Sequence, residues 1–102
     1  MGKNINIPHI GEILLEEFLQ PLKLSQSQLA RLIDVPRNRI SEIIRGRRGI
    51  TPDTSIRLGR LFGVSDNFFL NMQSSYDLRM AKLEENNFDS ITALSYSQSV
   101  VL

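Results

Sequence analysis

Apolar residues recur along the chain at spacings of three and four, interrupted by proline, glycine and capping residues, and five helices can be read from that punctuation. The first runs from about Gly11 to Leu19, with Ile13, Leu14, Phe18 and Leu19 on one side and Pro21 as its stop. The second opens at Ser25, with Gln28 three residues on to complete a capping box and Leu24 and Leu29 placed as a hydrophobic staple. It ends at Ile33. After the break at Asp34-Val35, Pro36 begins a third helix that runs to about Arg45 and is closed by Gly46. Thr51 caps a fourth helix with Pro52 in its first position and Asp53 in its first turn; Leu58, Leu61 and Phe62 form its stripe and Gly63 ends it. Ser65 is the expected cap of the fifth, with Val64 and Phe69 as a second staple.

The stripe of the fifth helix is narrow. Phe69, Met72, Tyr76, Met80 and Leu83 step by three or four residues, the seam of two packed helices rather than the broad face of a core helix. Phe69, Met72, Tyr76 and Met80 are therefore expected at a dimer interface, the alternative being that the stripe completes the monomer's own core. These helices form a domain over residues 1–85. The tail 86–102 mixes Ser with Ile, Leu, Tyr and Val, and leaves a short strand, a partner-ordered segment and disorder all open.

The segment Gln26–Arg45 has the spacing of two short helices packed at a steep angle through a tight turn. Such a motif buries positions four, eight, ten, fifteen and eighteen, which are Leu29, Ile33, Val35, Ile40 and Ile43 when Gln26 is position one. Position five must be small where the second helix crosses, and it is Ala30. Position nine takes a left-handed backbone, best suited to Gly and tolerated by Asp; it is Asp34. The fold class is thus all-α, five helices carrying a helix-turn-helix in helices two and three.

Charge now changes the picture. The net charge of +1 over 102 residues conceals a block at 31–60, where eight arginines face Asp34, Glu42 and Asp53 for a local sum of +5. The flanking segments sum to −1 and −3. An all-arginine block between acidic flanks points to an anionic partner. With no cysteine and only His9 among histidines, disulfides, thiolate sites and multi-histidine metal sites are excluded, and no cofactor or metal is expected. No apolar run approaches the length of a bilayer span, the polar start Met1–Asn6 is not a signal peptide, and position six lacks the Ser or Thr of a myristoylation signal. A cytoplasmic protein without membrane contact is expected.

Burying Ile40, Ile43 and Ile44 turns Arg37, Asn38, Ser41, Glu42 and Arg45 outward, with Arg39 at the margin. Arginine pairs bidentately with guanine and asparagine with adenine, so Arg37, Asn38, Arg39 and Ser41 are the candidate base readers of double-stranded DNA. Glu42 suits cytosine or the orientation of a neighbouring arginine. Gln26, Arg45, Arg47 and Arg48 are the candidate phosphate contacts. A catalytic reading has only His9 with Glu12 to rest on, and that pair is more simply a helix-entry feature.

From His9 to about Lys82 the sequence resembles the HigA-type (VapI-like) antitoxins of the lambda-repressor-like, or XRE, helix-turn-helix group. The resemblance is carried by His9-Ile10-Gly11-Glu12-Ile13-Leu14, Leu24-Ser25-Gln26, Leu29-Ala30, Arg39-Ile40, Glu42-Ile43 and Gly46-Arg47-Arg48-Gly49-Ile50-Thr51. Its strongest marker is Phe68-Phe69-Leu70-Asn71-Met72-Gln73 followed by Tyr76-Asp77-Leu78; Ile10 and Phe69 stand where the family usually has Pro and Trp. The resemblance implies a homodimer that represses its own operon and neutralises a small RelE-like ribonuclease toxin. A basic toxin would suit the acidic Glu12, Glu16 and Glu17 of helix one and Asp77, Glu84, Glu85 and Asp89 near the C-terminus, with exposed residues of helix one and the tail's Phe88, Ile91, Leu94 and Tyr96 as apolar anchors. A phage-type regulator without a toxin, and an adaptor that binds no DNA, are the alternatives.

Overall fold

The computed structural model describes residues 7–84 and 87–95. The expectations for Met1–Asn6, for Glu85 and Tyr96, and for the domain boundary at 85–86 lie outside the described residues. Among the described residues there are five helices and no strand: α1 (10–22), α2 (Gln26–Ile33), α3 (Arg37–Ile44), α4 (Pro52–Phe62) and α5 (Phe68–Glu84). A short 3₁₀ turn at Phe88–Ser90 follows.

Helix α1 corrects the expected stop at Pro21. Its first turn, Ile10–Ile13, widens into a π segment over Leu14–Leu19 and returns to α geometry over Gln20–Leu22, so the proline lies inside the helix. An α turn would press the carbonyl four residues back against the proline ring; the wider turn, in which the Gln20 N–H donates to the Leu15 carbonyl, relieves that clash. The helix ends instead at Lys23, left-handed at φ 55°, and the Leu24 N–H donates back to the Leu19 carbonyl.

Helices α2 and α3 follow the expected pattern closely. The Ser25 hydroxyl accepts from the Gln28 N–H at 3.0 Å, and the Gln28 side chain accepts from the Ser25 N–H at 2.8 Å. Asp34 takes the left-handed turn at φ 59°. Leu29, Ala30, Ile33, Ile40 and Ile43 are buried and Val35 is half-buried, so the two helices share one apolar seam. Arg57 of α4 donates to the Ile33 carbonyl at 2.8 Å, placing a cation on the last carbonyls of α2.

Helix α5 begins at Phe68 rather than just after Ser65. The Ser65 hydroxyl, expected as the cap, donates to Asn67 Oδ1 at 2.9 Å, and a turn over Asp66-Asn67 intervenes. The corner between α4 and α5 is fixed by Ser55, whose hydroxyl donates to the Asp66 carbonyl at 2.6 Å and accepts from the Leu70 N–H at 3.0 Å. Outside it, Arg60 donates twice to Asp66. That hydrogen bonding, with the arginine's charge, holds the Asp66 carboxyl below the usual carboxylate range.

Phe69 is wholly buried, which removes it from any interface between copies. Its ring packs on Phe68, Phe18 and Phe62 with centroids 5.0, 5.1 and 6.1 Å away, closing the core beneath α1 and α4. The first turn of α5 therefore belongs to the monomer, and the stripe divides: Met72, Tyr76 and Met80 stay half-buried, and Leu83 is exposed.

Among the glycines, the closest approach brings α1 onto α3. Gly11 lies against the last turn of α3, where a Cβ would overlap the Ile43 carbonyl oxygen. Gly11→Ala should therefore lower stability by about 1–3 kcal/mol, the usual cost of overpacking. Urea denaturation checks this, and an unchanged midpoint would show that the helices do not approach so closely.

Candidate nucleic-acid interface

Helix α3 is only eight residues long and gains its rigidity from what it buries. Ile40 and Ile43 have no exposed surface, so the opposite face is fixed to solvent. Arg37 and Asn38, in the first turn, and Arg45, at the last, are exposed and carry no ion pair or side-chain hydrogen bond among the described residues. Ser41 lies between them, half-buried. Four of the expected side chains thus share one outward surface.

Arg39 is the exception at the margin. Its guanidinium pairs with Asp53 Oδ2 at 3.3 Å, and the same oxygen accepts from Arg57 Nε at 3.0 Å. Asp53 thereby draws Arg39 toward α4 and away from the front of α3. Glu42 orients a neighbouring arginine, one of its two expected roles: its Oε1 accepts from Arg48 Nε at 3.0 Å and Nη2 at 2.9 Å. Arg48 is thus held beside α3, while Arg47 next to it is exposed with no partner among the described residues. Gln26 sits half-buried in the first helical position of α2, beside amides that the Ser25 cap does not engage.

The basic loop is itself positioned from behind, by residues that the sequence pattern did not single out as a unit. Gln73 of α5 accepts from the Ile50 N–H through Oε1 at 3.1 Å and donates through Nε2 to Asp77 Oδ1 at 2.8 Å. Gly46 turns with φ 76°, and a Cβ there would meet the His9 ring. That ring lies edge-on to Tyr76 with centroids 6.3 Å apart. His9, Gly46, Arg47, Arg48, Gln73 and Tyr76 line a shallow cleft of 360 Å³. The available signal was Gln73 itself: it stands four residues after Phe69 on the inner face of α5, where a polar side chain requires a buried partner.

His9 and Glu12 are engaged in a helix cap. His9 Nδ1 accepts from the Gly11 N–H at 3.0 Å, and Glu12 Oε1 accepts from the His9 N–H at 3.1 Å. Among the described residues no three His, Cys, Asp or Glu side chains gather as a metal site, and no helix is long and apolar enough to cross a membrane.

A helix-turn-helix family model matches residues 15–69, which span the motif and its supporting helices. The chain belongs to the helix-turn-helix family. Its relatives place it in the XRE-type branch. Virulence-associated protein I of Dichelobacter nodosus is 48% identical over 96 residues, covering 92% of this chain and 88% of that one. Antitoxin HigA-1 of Vibrio cholerae is 34% identical, covering 88% of each. Among solved structures, the Pseudomonas aeruginosa antitoxin HigA with the higBA promoter superposes with a TM-score of 0.75 at 40% identity, covering 83% of this chain and 90% of that one. This helix-turn-helix protein is thus of the HigA type, with the all-helical fold that the resemblance implied.

Replacing Gln73 by Ala leaves the Ile50 N–H without its acceptor at a cost of about 1 kcal/mol. Hydrogen exchange at the Ile50 amide should quicken several-fold in this variant; an unchanged rate would mean that α5 does not hold the loop.

Proposed function

We propose that the chain is the antitoxin of a toxin–antitoxin module, that it binds an operator as a homodimer and represses its own operon, and that it neutralises a small RelE-like ribonuclease. The observation that carries the DNA reading is the outward surface of α3, where Arg37, Asn38 and Arg45 are exposed on one side of the helix and have no ion pair or side-chain hydrogen bond among the described residues. The relative solved with the higBA promoter supports it.

Arg37, Asn38 and Ser41 read base edges in the major groove, and Arg39 joins them on release from Asp53. Gln26, Arg45, Arg47 and Arg48 meet phosphates on either side. A duplex backbone competes with Glu42 for Arg48, and the resulting exchange of partners costs little between exposed groups. Met72, Tyr76 and Met80 lie along the two-fold seam, which sets two recognition helices about 34 Å apart on successive major grooves.

The ribonuclease docks on α1. Glu16 and Glu17 are exposed there without ion pairs among the described residues, and Leu22, 60% exposed at the end of the same helix, supplies an apolar anchor. Such a toxin is basic because it grips RNA, and opposite charge speeds the encounter.

Arg37→Ala should weaken operator binding by about 1–3 kcal/mol and relax the preference at one base pair. Titration against operator and random duplexes separates the cases, since equal losses on both would make Arg37 a phosphate contact. For the toxin, the product of an adjacent reading frame should co-purify with the chain, and a Glu16→Lys/Glu17→Lys variant should lose it. Full retention by the variant would place the interface elsewhere, and no adjacent toxin frame at all would favour a regulator without a toxin.

A further inference from the structure

Beyond α5 the chain runs as an arm whose described residues, 87–95, are all exposed. Its large apolar side chains recur at every third position: Phe88, Ile91 and Leu94 are exposed by 47, 73 and 76%. On the body of the molecule, Ile7 and Ile13 face Phe68, Met72 and Tyr76 across an open groove of 440 Å³. None of the described residues of the arm lines this groove.

Dimensions and charge match the two. From Phe68 to Arg79 the groove follows α5 for about 17 Å at the helical rise. From Phe88 to Leu94 the 3₁₀ turn over Phe88–Ser90, followed by backbone that leaves it extended at Ile91, reaches about 17 Å at most. Arg79 is the charged residue among the groove's lining side chains, and it has no ion pair among the described residues. Asp89 is the charged residue of the arm between Phe88 and Leu94, likewise without one. Apolar surface and charge sign are therefore complementary, and the groove is continuous with the Met72–Tyr76 seam.

We propose that the groove receives the arm of a second copy of this chain, each protomer clasping the other across a two-fold axis. This rests on the homodimer reading and adds the segment that secures it. Phe88, Ile91 and Leu94 of one protomer lie along Ile13, Phe68 and Met72 of its partner, and Asp89 meets Arg79. A two-fold pairing makes the exchange reciprocal, so both grooves fill and both arms are covered.

The chain has no cysteine, which allows a direct test by cross-linking. Ser75, on the rim of the groove, and Ile91, on the arm, are both exposed, so replacing them leaves the core intact. Chains carrying Ser75→Cys or Ile91→Cys are co-expressed under different tags and oxidised. The mixed pair should give a covalent heterodimer at least several-fold more abundant than the covalent dimer of either variant alone. Sedimentation of the unmodified chain runs alongside. A dimer by sedimentation with no bond between positions 75 and 91 would overturn the clasp and leave dimerisation standing. A monomer would remove both. In a chain carrying both replacements, a bond closing within the monomer would assign the arm to its own groove and overturn the exchange. Ile91→Glu with Leu94→Glu should raise the dimer dissociation constant tenfold or more without moving the unfolding midpoint of the body; an unchanged constant counts against the clasp.

Discussion

Gly11 lies so close to the Ile43 carbonyl that no side chain can stand between α1 and α3, and on that contact the outward surface depends. An eight-residue helix is marginal on its own and can aim side chains only if its neighbours fix its axis and its rotation. Ile40 and Ile43 fix the rotation, being wholly buried against the rest of the core. The Gly11 approach fixes the axis from behind, and the α2 seam fixes it from the side. The direction of Arg37, Asn38 and Arg45 is thus a consequence of packing on the opposite face.

The same support extends to the loop that follows. Gly46 lies against His9 at the entry to α1, and Ile50 is bonded to Gln73 on α5. The two ends of the basic loop are therefore held by the segments that begin and end the body. Charge is divided in a corresponding way. Asp53 and Glu42 draw Arg39, Arg57 and Arg48 into ion pairs, while Arg37, Arg45 and Arg47 have none among the described residues. Exposed pairs of this kind add little stability, and their role is to place guanidinium groups.

Much of this was legible in the sequence because it follows from local chemistry. The capping box at Ser25 and Gln28, the left-handed turn at Asp34, the Thr51-Pro52 start and the Gly63 end each depend on a few neighbouring residues, and each is present. The misreadings arose where tertiary packing competes with a local rule. Pro21 is accommodated by a π turn, and the hydroxyl of Ser65 is taken by Asn67. Phe69 keeps the period of a seam yet lies beneath Phe18 and Phe62, because spacing along one helix does not say how far a stripe is covered by others. For the outward surface, the residues of α3 could be listed from the helical period alone. The attachments of Arg39 to Asp53 and of Ile50 to Gln73 join positions 14 and 23 residues apart, which periodicity cannot reach.

In the proposed complex the outer face of α3 and the basic loop that follows it grip a duplex through several phosphates at once. The measurement closest to this grip is the affinity for DNA upstream of the chain's own reading frame, followed between 50 and 200 mM salt. A dimer making roughly 6–10 phosphate contacts loses about 10³–10⁵ in affinity over that range while still preferring its operator to random sequence. A flat response to salt, or equal affinity for both DNAs throughout, would mean that α3 and its loop do not hold DNA in this way.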